Sequence, residues 1–220
     1  MVGAYSCDWR RGVLSRDHRT IFVHIPKTAG QCIASAFLTS LGLTWDERSR
    51  LLMRYNDDPR VGPERLAHLF AGEYLDCGHV SAEEFRTFFK FSIVRNPFDR
   101  VISAFNYRQT AGSRDRSIRD YVRQQDPDPY SATWRHFCPQ HLYVHRDGQV
   151  IVDRIIRHEA LSAEWPGLCE QVFGHVTPLP RWNITRNRII TRDSLSSQDR
   201  DFILEAYRDD FIAFGYDTAV

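Results

Sequence analysis

Short runs of consecutive apolar residues, each closed by Pro, Asn or Gly and followed by helix-spaced apolar positions, recur along this chain. Ile21 to Ile25 reads as a buried strand, Pro26 to Gly30 as a turn, and Gln31 to Leu41 as an amphipathic helix. The unit returns at Phe91 to Val94, again a buried strand, with Asn96 as N-cap, Pro97 in the first turn and Phe98 to Tyr107 as the helix. Between the two units, residues 46–55 and 63–70 carry helical spacing and Tyr74 to Cys77 is strand-like. Ala82 to Phe88 is a short helix behind a Ser81 cap, with Glu84 at the capping-box position. Further on, Asp147-Gly148 separates two β-rich runs as in a hairpin, and Leu161 to Phe173 and Ser197 to Asp209 read as helices. Strands alternating with helices predict an α/β fold, a single domain with a mainly parallel central sheet flanked by helices. A chain of 220 residues without internal repeats fits one such domain with a sizeable core.

Composition narrows the function classes. Lys and Arg number 29 against 28 Asp and Glu, a formal net charge of +1. No global field therefore draws nucleic acid or another polyanion, and any anion site is local. Arginines cluster between Arg114 and Arg123 and between Arg181 and Arg192, where solvated faces and ligand contacts are both compatible with the pattern. No apolar run reaches the roughly 18 residues of a transmembrane segment, and residues 1–19 lack the apolar centre of a secretory signal. Five cysteines, at positions 7, 32, 77, 138 and 169, are odd in number, widely spaced and without a CxxC pair, which argues against a disulfide framework or a zinc ribbon. The expectation is a cytoplasmic protein.

Chemistry enters where the strands end. In parallel α/β sheets ligands bind beyond the carboxyl ends of strands, where helix N-termini present backbone N–H groups and a positive dipole end. After the first strand, Lys27 brings a full charge, Thr28 a hydroxyl donor, and Gly30 room for the backbone to come close to a ligand. The nearest common motif is the nucleotide-binding GxxxxGK[ST] loop, but its two glycines correspond here to Ile21 and Pro26, and only the Lys-Thr pair matches. A strand-end lysine on its own is as readily a solvated surface charge. The second unit adds weight. In FSIVRNPFDRVISAF, Arg95 stands at the strand end and Ser103 two turns into the helix, and an Arg and a Ser so spaced can grip one phosphate. Two anion cradles in one sheet point to a ligand with two separated phosphate groups.

These residues resemble those of a known family. HIPKTAGQC is similar to the 5′-phosphosulfate-binding loop, and VRNPFDRVISAF to the 3′-phosphate-binding segment, of sulfotransferases that use 3′-phosphoadenosine-5′-phosphosulfate (PAPS). The likeness is to the carbohydrate group that contains the uronyl and heparan sulfate 2-O-sulfotransferases and their small bacterial members. CGHVSAEEF resembles the segment that carries that group's catalytic histidine. QHLYVHRDGQVIVDRIIRHEAL resembles a segment of bacterial relatives that usually ends in Arg-Phe-Glu, here Arg157-His158-Glu159. LPRWNIT resembles the loop that closes over the cofactor, and YRDDFIAFGY the terminal helix and tail. The resemblance runs in consistent order over residues 19–217, which sets 1–18 apart as an N-terminal extension and makes 19–220 a sulfotransferase domain of P-loop-like fold. Two positions depart from the pattern: Gln31-Cys32 stands where Thr or Ser often follows the loop glycine, and Cys77 where the heparan 2-O enzymes carry an additional histidine.

The resemblance implies a PAPS-dependent sulfotransferase that moves a sulfonate by in-line displacement to a hydroxyl of a carbohydrate or glycan-like acceptor and releases adenosine 3′,5′-bisphosphate (PAP), without a metal. It implies His79 as general base and Lys27 as the group that stabilises the leaving phosphate. Lys27, Thr28, Ala29, Gly30, Gln31 and Cys32, with Arg95 and Ser103, would hold the cofactor's phosphates, and Asn183 and Thr185 would face it. Read by themselves, the residues leave His79 open as a histidine that holds a backbone carbonyl at a turn, and Glu47, Glu73, Glu83 and Glu84 open as carboxylate bases. Trp134, Trp165 and Trp182 stay open between sugar stacking and core packing. His136, Cys138 and His141 lack standard zinc spacing. The alternative functions are a P-loop-like nucleotide or small-molecule kinase and a non-catalytic PAP-binding sensor.

Overall fold

The computed structural model describes residues 13–109, 117–123, 127–179 and 190–218. Along the chain, β1 (Val13–Ser15), β2 (Thr20–Val23) and α1 (Gly30–Ser40) are followed by three short 3₁₀ helices at Trp45–Leu51, Pro59–Val61 and Leu66–His68. Then come α2 (Glu73–Asp76), α3 (Ala82–Thr87), β3 (Phe89–Val94) and α4 (Pro97–Gln109). The second half holds α5 (Ile118–Arg123), α6 (Ala132–Phe137), α7 (His141–Val144), the hairpin of β4 (His145–Arg146) and β5 (Gln149–Val150), and β6 (Arg154–Arg157). A 3₁₀ turn at His158–Ala160 leads into α8 (Leu161–Phe173), α9 (Ser197–Ala206) and α10 (Arg208–Phe214).

The central sheet has the order β1-β2-β3-β6, with β2, β3 and β6 parallel and β1 antiparallel at the edge. This is the mixed α/β domain with a mostly parallel sheet that the alternation predicts. β2 is apolar at consecutive positions because both faces of the sheet are covered. Phe22 packs with Phe91, Ile93 and residues of α1 and α8, while Ile21 and Val23 face Leu66, Tyr74, Val80 and Tyr143. The register sets Phe22 opposite Phe91, and their rings stack with centroids 5.0 Å apart. β1 draws on the stretch read as an N-terminal extension; three residues form too short a run to stand out from their polar surroundings.

Three local expectations change. Tyr74 to Cys77 is helical, in α2 and its cap: the Glu73 carboxylate accepts the Phe70 amide at 2.7 Å, and the buried Tyr74 hydroxyl reaches the Phe22 carbonyl at 3.3 Å. Over four residues periodicity cannot separate helix from strand. Residues 46–55 and 63–70 form only 3₁₀ turns, since Leu52 turns left-handed (φ 64°) and Pro59, Gly62 and Pro63 interrupt any longer helix. The helix read through Asp209 breaks at Tyr207 into α9 and α10, where the Tyr207 hydroxyl donates to the Phe137 carbonyl at 2.6 Å. The caps and the hairpin turn are as read. Ser81 and Glu84 form a reciprocal capping box, Asn96 Oδ1 accepts the Phe98 amide at 3.0 Å, and Asp147 and Gly148 both have positive φ, as a type I′ turn requires. No helix among the described residues is long and apolar enough to cross a membrane.

Candidate active site

β2 and β3 are adjacent and parallel, so the segments that leave their carboxyl ends lie side by side. After β2, Lys27 and Ala29 take left-handed backbone, φ 71° and 75°, a conformation that costs a non-glycine residue about 1–2 kcal/mol. The second segment holds the turn in that shape. Arg95 Nη1 donates to the Lys27 carbonyl and Arg100 Nε to the Pro26 carbonyl, each at 3.2 Å. Thr28 is fully buried and donates its hydroxyl to the Ile25 carbonyl at 2.8 Å. α1 then starts from Ala29, an N-cap with no side-chain acceptor for the first amides, which suits an external anion. The Cys32 amide bonds the Ala29 carbonyl at 2.9 Å. The Thr28 hydroxyl proton and the Cys32 amide are thus both used within the turn in this structure.

Gly30 is required by a close contact within the protein: a Cβ at this position would overlap the buried His24 imidazole. Gly30→Ala is expected to lower stability by about 1–3 kcal/mol, the usual cost of overpacking. Chemical denaturation checks this, and an unchanged midpoint would contradict the packing.

Asn96, at the cap of α4, and Arg100, Ser103 and Tyr107 within it share one face at spacings of four, three and four. Lys27 Nζ lies 4.2 Å from the centre of the Tyr107 ring, a cation–π contact, which puts the ammonium over the helix one turn beyond the half-exposed Ser103. Arg100 is buried and also donates to the His136 and Cys138 carbonyls at 3.2 and 2.8 Å. The Gln140 side chain accepts the Arg95 amide at 2.9 Å and donates to the Arg95 carbonyl at 2.8 Å. Glu159, after β6, accepts the Asn96 amide and the Tyr216 hydroxyl, both at 2.9 Å. Lys27 and Arg95 thus meet through a loop carbonyl, and Ser103 lies on the helix face that Lys27 crosses. The sequence reading missed Arg100, Gln140, Tyr107 and Glu159 as parts of this frame; the i, i+4 spacing of Ser103 and Tyr107 is a signal that could have found Tyr107.

His79 has a different set of contacts. Its Nε2 donates to the Val61 carbonyl at 2.7 Å, and its own carbonyl accepts from Arg16 at 2.8 Å. Arg16 follows β1 and pairs with Glu84 of α3, segments that flank the starts of β2 and β3, whereas Lys27 and Arg95 follow their ends. Burial lowers the His79 pKa, against the raising effect of the bond to Val61 and with Arg54 lowering it further. At pH 7 the ring is neutral, with the proton on Nε2 and the lone pair on Nδ1.

The four carboxylates are each committed elsewhere. Glu47 closes a capping box with Thr44, Glu73 makes a bidentate pair with the buried Arg135 at 2.6 and 2.7 Å, Glu83 pairs with Arg86, and Glu84 caps α3 and binds Arg16. Trp165 is a core residue whose Nε1 donates to the Thr177 carbonyl at 2.6 Å, and Trp134 is half-buried near Phe70. Of the C-terminal arginine cluster, Arg192 forms a bidentate pair with Asp99 at 2.8 and 2.9 Å. Asn183 and Thr185, with Arg181, Trp182, Arg186 and Arg188, lie outside the described residues. Among the described residues no group of His, Cys, Asp and Glu side chains is arranged to hold a metal ion.

A family model described as the sulfotransferase family matches residues 10–217. The chain belongs to the sulfotransferase family. No curated protein matches it, and no solved structure does. A sulfotransferase transfers sulfonate groups to hydroxyl-bearing acceptors in general, and the match spans both strand-end segments and the helices that brace them.

In this sulfotransferase the residues behind Gly30 form a feature that nothing in the sequence spacing marks. His24, His68 and His136, from three separate segments, make a buried row with ring centroids 4.8 and 5.2 Å apart. His68 Nδ1 donates to the His24 carbonyl at 3.2 Å. Burial, reinforced by the neighbouring imidazoles, holds the His68 pKa well below its ordinary value. The folded pKa lies under the unfolded one of about 6.5, so the unfolded chain binds the proton first, and folded stability is lost as pH falls below that value. His68→Asn keeps a donor for the His24 carbonyl but does not titrate. Its stability is expected to fall less steeply in acid, by up to about 1.4 kcal/mol per pH unit, measured by denaturation between pH 5 and pH 7. An unchanged acid slope would contradict this assignment.

Proposed function

We propose that this sulfotransferase takes its sulfonate from PAPS and delivers it to a hydroxyl of a carbohydrate or glycan-like acceptor, in the manner of the uronyl and heparan sulfate 2-O-sulfotransferase group and its small bacterial members. The observation that carries the reading is the placement of Lys27 and Arg95 at neighbouring ends of parallel strands, with the Arg95 guanidinium on the Lys27 backbone carbonyl and the Lys27 ammonium over Tyr107. A nucleotide phosphorylated at both its 5′ and 3′ positions needs two such cradles. A linear triphosphate needs one, with the loop glycines that Ile21 and Pro26 replace.

When bound, PAPS supplies an activated sulfonate with PAP as its leaving group. The uncapped start of α1 and Lys27 would hold the 5′ end, and Arg95 with Ser103 would hold the 3′-phosphate, Arg95 through paired charge-assisted bonds. Lys27 would neutralise charge building on the bridging oxygen. His79 enters the proposal as general base on the strength of the CGHVSAEEF resemblance alone, because its Arg16 contact lies by the starts of β2 and β3 rather than by the ends that carry Lys27 and Arg95; in that role Nδ1 would take the acceptor's proton while Nε2–H stays on Val61. The commitment of all four candidate carboxylates to caps and ion pairs supports the histidine over a carboxylate base. Asn183 and Thr185 enter the proposal as cofactor contacts on the strength of the LPRWNIT resemblance.

The test is transfer from radiolabelled PAPS to a panel of neutral and acidic oligosaccharides, with phenols and tyrosine peptides for comparison. Label on a sugar hydroxyl with matching release of PAP supports the reading. Label confined to phenols or peptides would overturn the acceptor class, and magnesium-dependent turnover of ATP without any transfer from PAPS would restore the kinase alternative.

A further inference from the structure

We propose that Gln140 is a positioning residue for the Arg95 phosphate grip, held in place by Asp210 of α10. The inference rests on the PAPS reading above and adds to it the element that fixes the 3′-phosphate site. The parallel ladder between β3 and β6 ends at the pair Val94 and Arg157, so Arg95 is the first residue whose backbone must find partners outside the sheet. Both partners come from one side chain. The fully buried Gln140 accepts the Arg95 amide at 2.9 Å and donates to the Arg95 carbonyl at 2.8 Å, which extends the strand's hydrogen bonding by one residue. Gln140 is itself anchored, because the fully buried Asp210 carboxylate accepts the Gln140 amide at 2.7 Å, the His141 amide at 2.8 Å and His141 Nδ1 at 2.9 Å. A charged acceptor makes these bonds stronger than neutral ones.

The chain of contacts therefore runs from α10 through Gln140 to Arg95, and from the Arg95 guanidinium to the Lys27 carbonyl. A guanidinium sits at the end of a long side chain, so a small rotation of its backbone carries the head group away from a phosphate oxygen. Pairing both polar groups of that backbone removes the rotation, as preorganisation of a binding group requires.

The experiment compares PAP with 5′-AMP, which lacks the 3′-phosphate, by calorimetry on the parent and on Gln140→Met, at a temperature where both are folded by circular dichroism. In the variant, PAP is expected to bind more weakly by on the order of tenfold, the scale seen for groups that orient a ligating residue, while 5′-AMP binding stays at the parent's level. In an Arg95→Ala background, Gln140→Met is expected to cause no further loss of PAP affinity. Equal weakening of both nucleotides, or an unaltered preference for PAP, would mean that Gln140 only stabilises the fold, and the inference would fall alone. A parent that does not prefer PAP over 5′-AMP would overturn the donor reading and the inference with it. Should Gln140→Met not fold, Gln140→Asn takes its place: its amide is one methylene short of Arg95, and a partial loss of PAP preference is expected, with an unaltered preference again overturning the inference.

Discussion

Lys27→Met is expected to slow sulfonate transfer by on the order of 10²–10³-fold, the usual effect of removing one preorganised charge from a developing anion. The loss should fall mainly on the chemical step. Methionine keeps an unbranched side chain of similar length, and the turn does not depend on the ammonium for its shape, because Arg95 and Arg100 hold the carbonyls of Lys27 and Pro26. What disappears is the charge now stacked over Tyr107. Single-turnover rates with saturating PAPS, beside PAP affinity from calorimetry, separate the two effects. A rate near the parent's would mean that another group meets the leaving oxygen and that Lys27 is a surface charge.

His79→Gln is expected to reduce transfer by on the order of 10²–10⁴-fold, the range for loss of a general base, with PAP binding retained. The substitution is chosen for the geometry at Val61. A glutamine amide can still donate to that carbonyl in place of Nε2–H, but it cannot take a proton. If the ring serves only as a carbonyl anchor, glutamine preserves activity; if it serves as the base, activity goes even though the anchor remains. If His79 is the base, the burial that lowers its pKa is expected to put the acid limb of the parent's rate profile below the ordinary imidazole midpoint of about 6.5. With His79 as the base, activity is expected to fall as pH drops through that lowered value and to hold above it, which a pH–rate profile of the parent checks.

Much of the frame around Lys27 and Arg95 could be read in the chain because it is local. A strand, a turn and a helix occupy residues 20–40, and the same order recurs over 89–109, so apolar runs and caps place Lys27 and Arg95 at strand ends without knowledge of the tertiary fold. What holds those ends was not legible. Arg100, Gln140 and Glu159 reach Pro26, Arg95 and Asn96 over long stretches of chain, and their side chains look like ordinary surface residues until the fold brings them in. Gly30 reads as a residue of close approach, and the close neighbour that the structure shows is His24, which the sequence spacing does not announce. Tyr74 to Cys77 was misread because four residues carry no usable period, and β1 was overlooked because it is a three-residue edge strand. The meaning of His79 is set by Val61 and Arg16, neither of which its neighbours in sequence announce.

The most direct measurement for a donor site built from Lys27 and Arg95 is thermal unfolding of the protein with PAP, 5′-AMP and Mg-ATP in parallel. A ligand at about 100 times its Kd that binds only the folded chain adds about 2.7 kcal/mol, which for a domain of this size raises the midpoint by roughly 5 to 10 °C. A shift of that order with PAP, and a much smaller one with 5′-AMP and Mg-ATP, is the result that paired cradles for a 5′ and a 3′ phosphate predict. No shift with PAP, or a larger one with Mg-ATP, would contradict them.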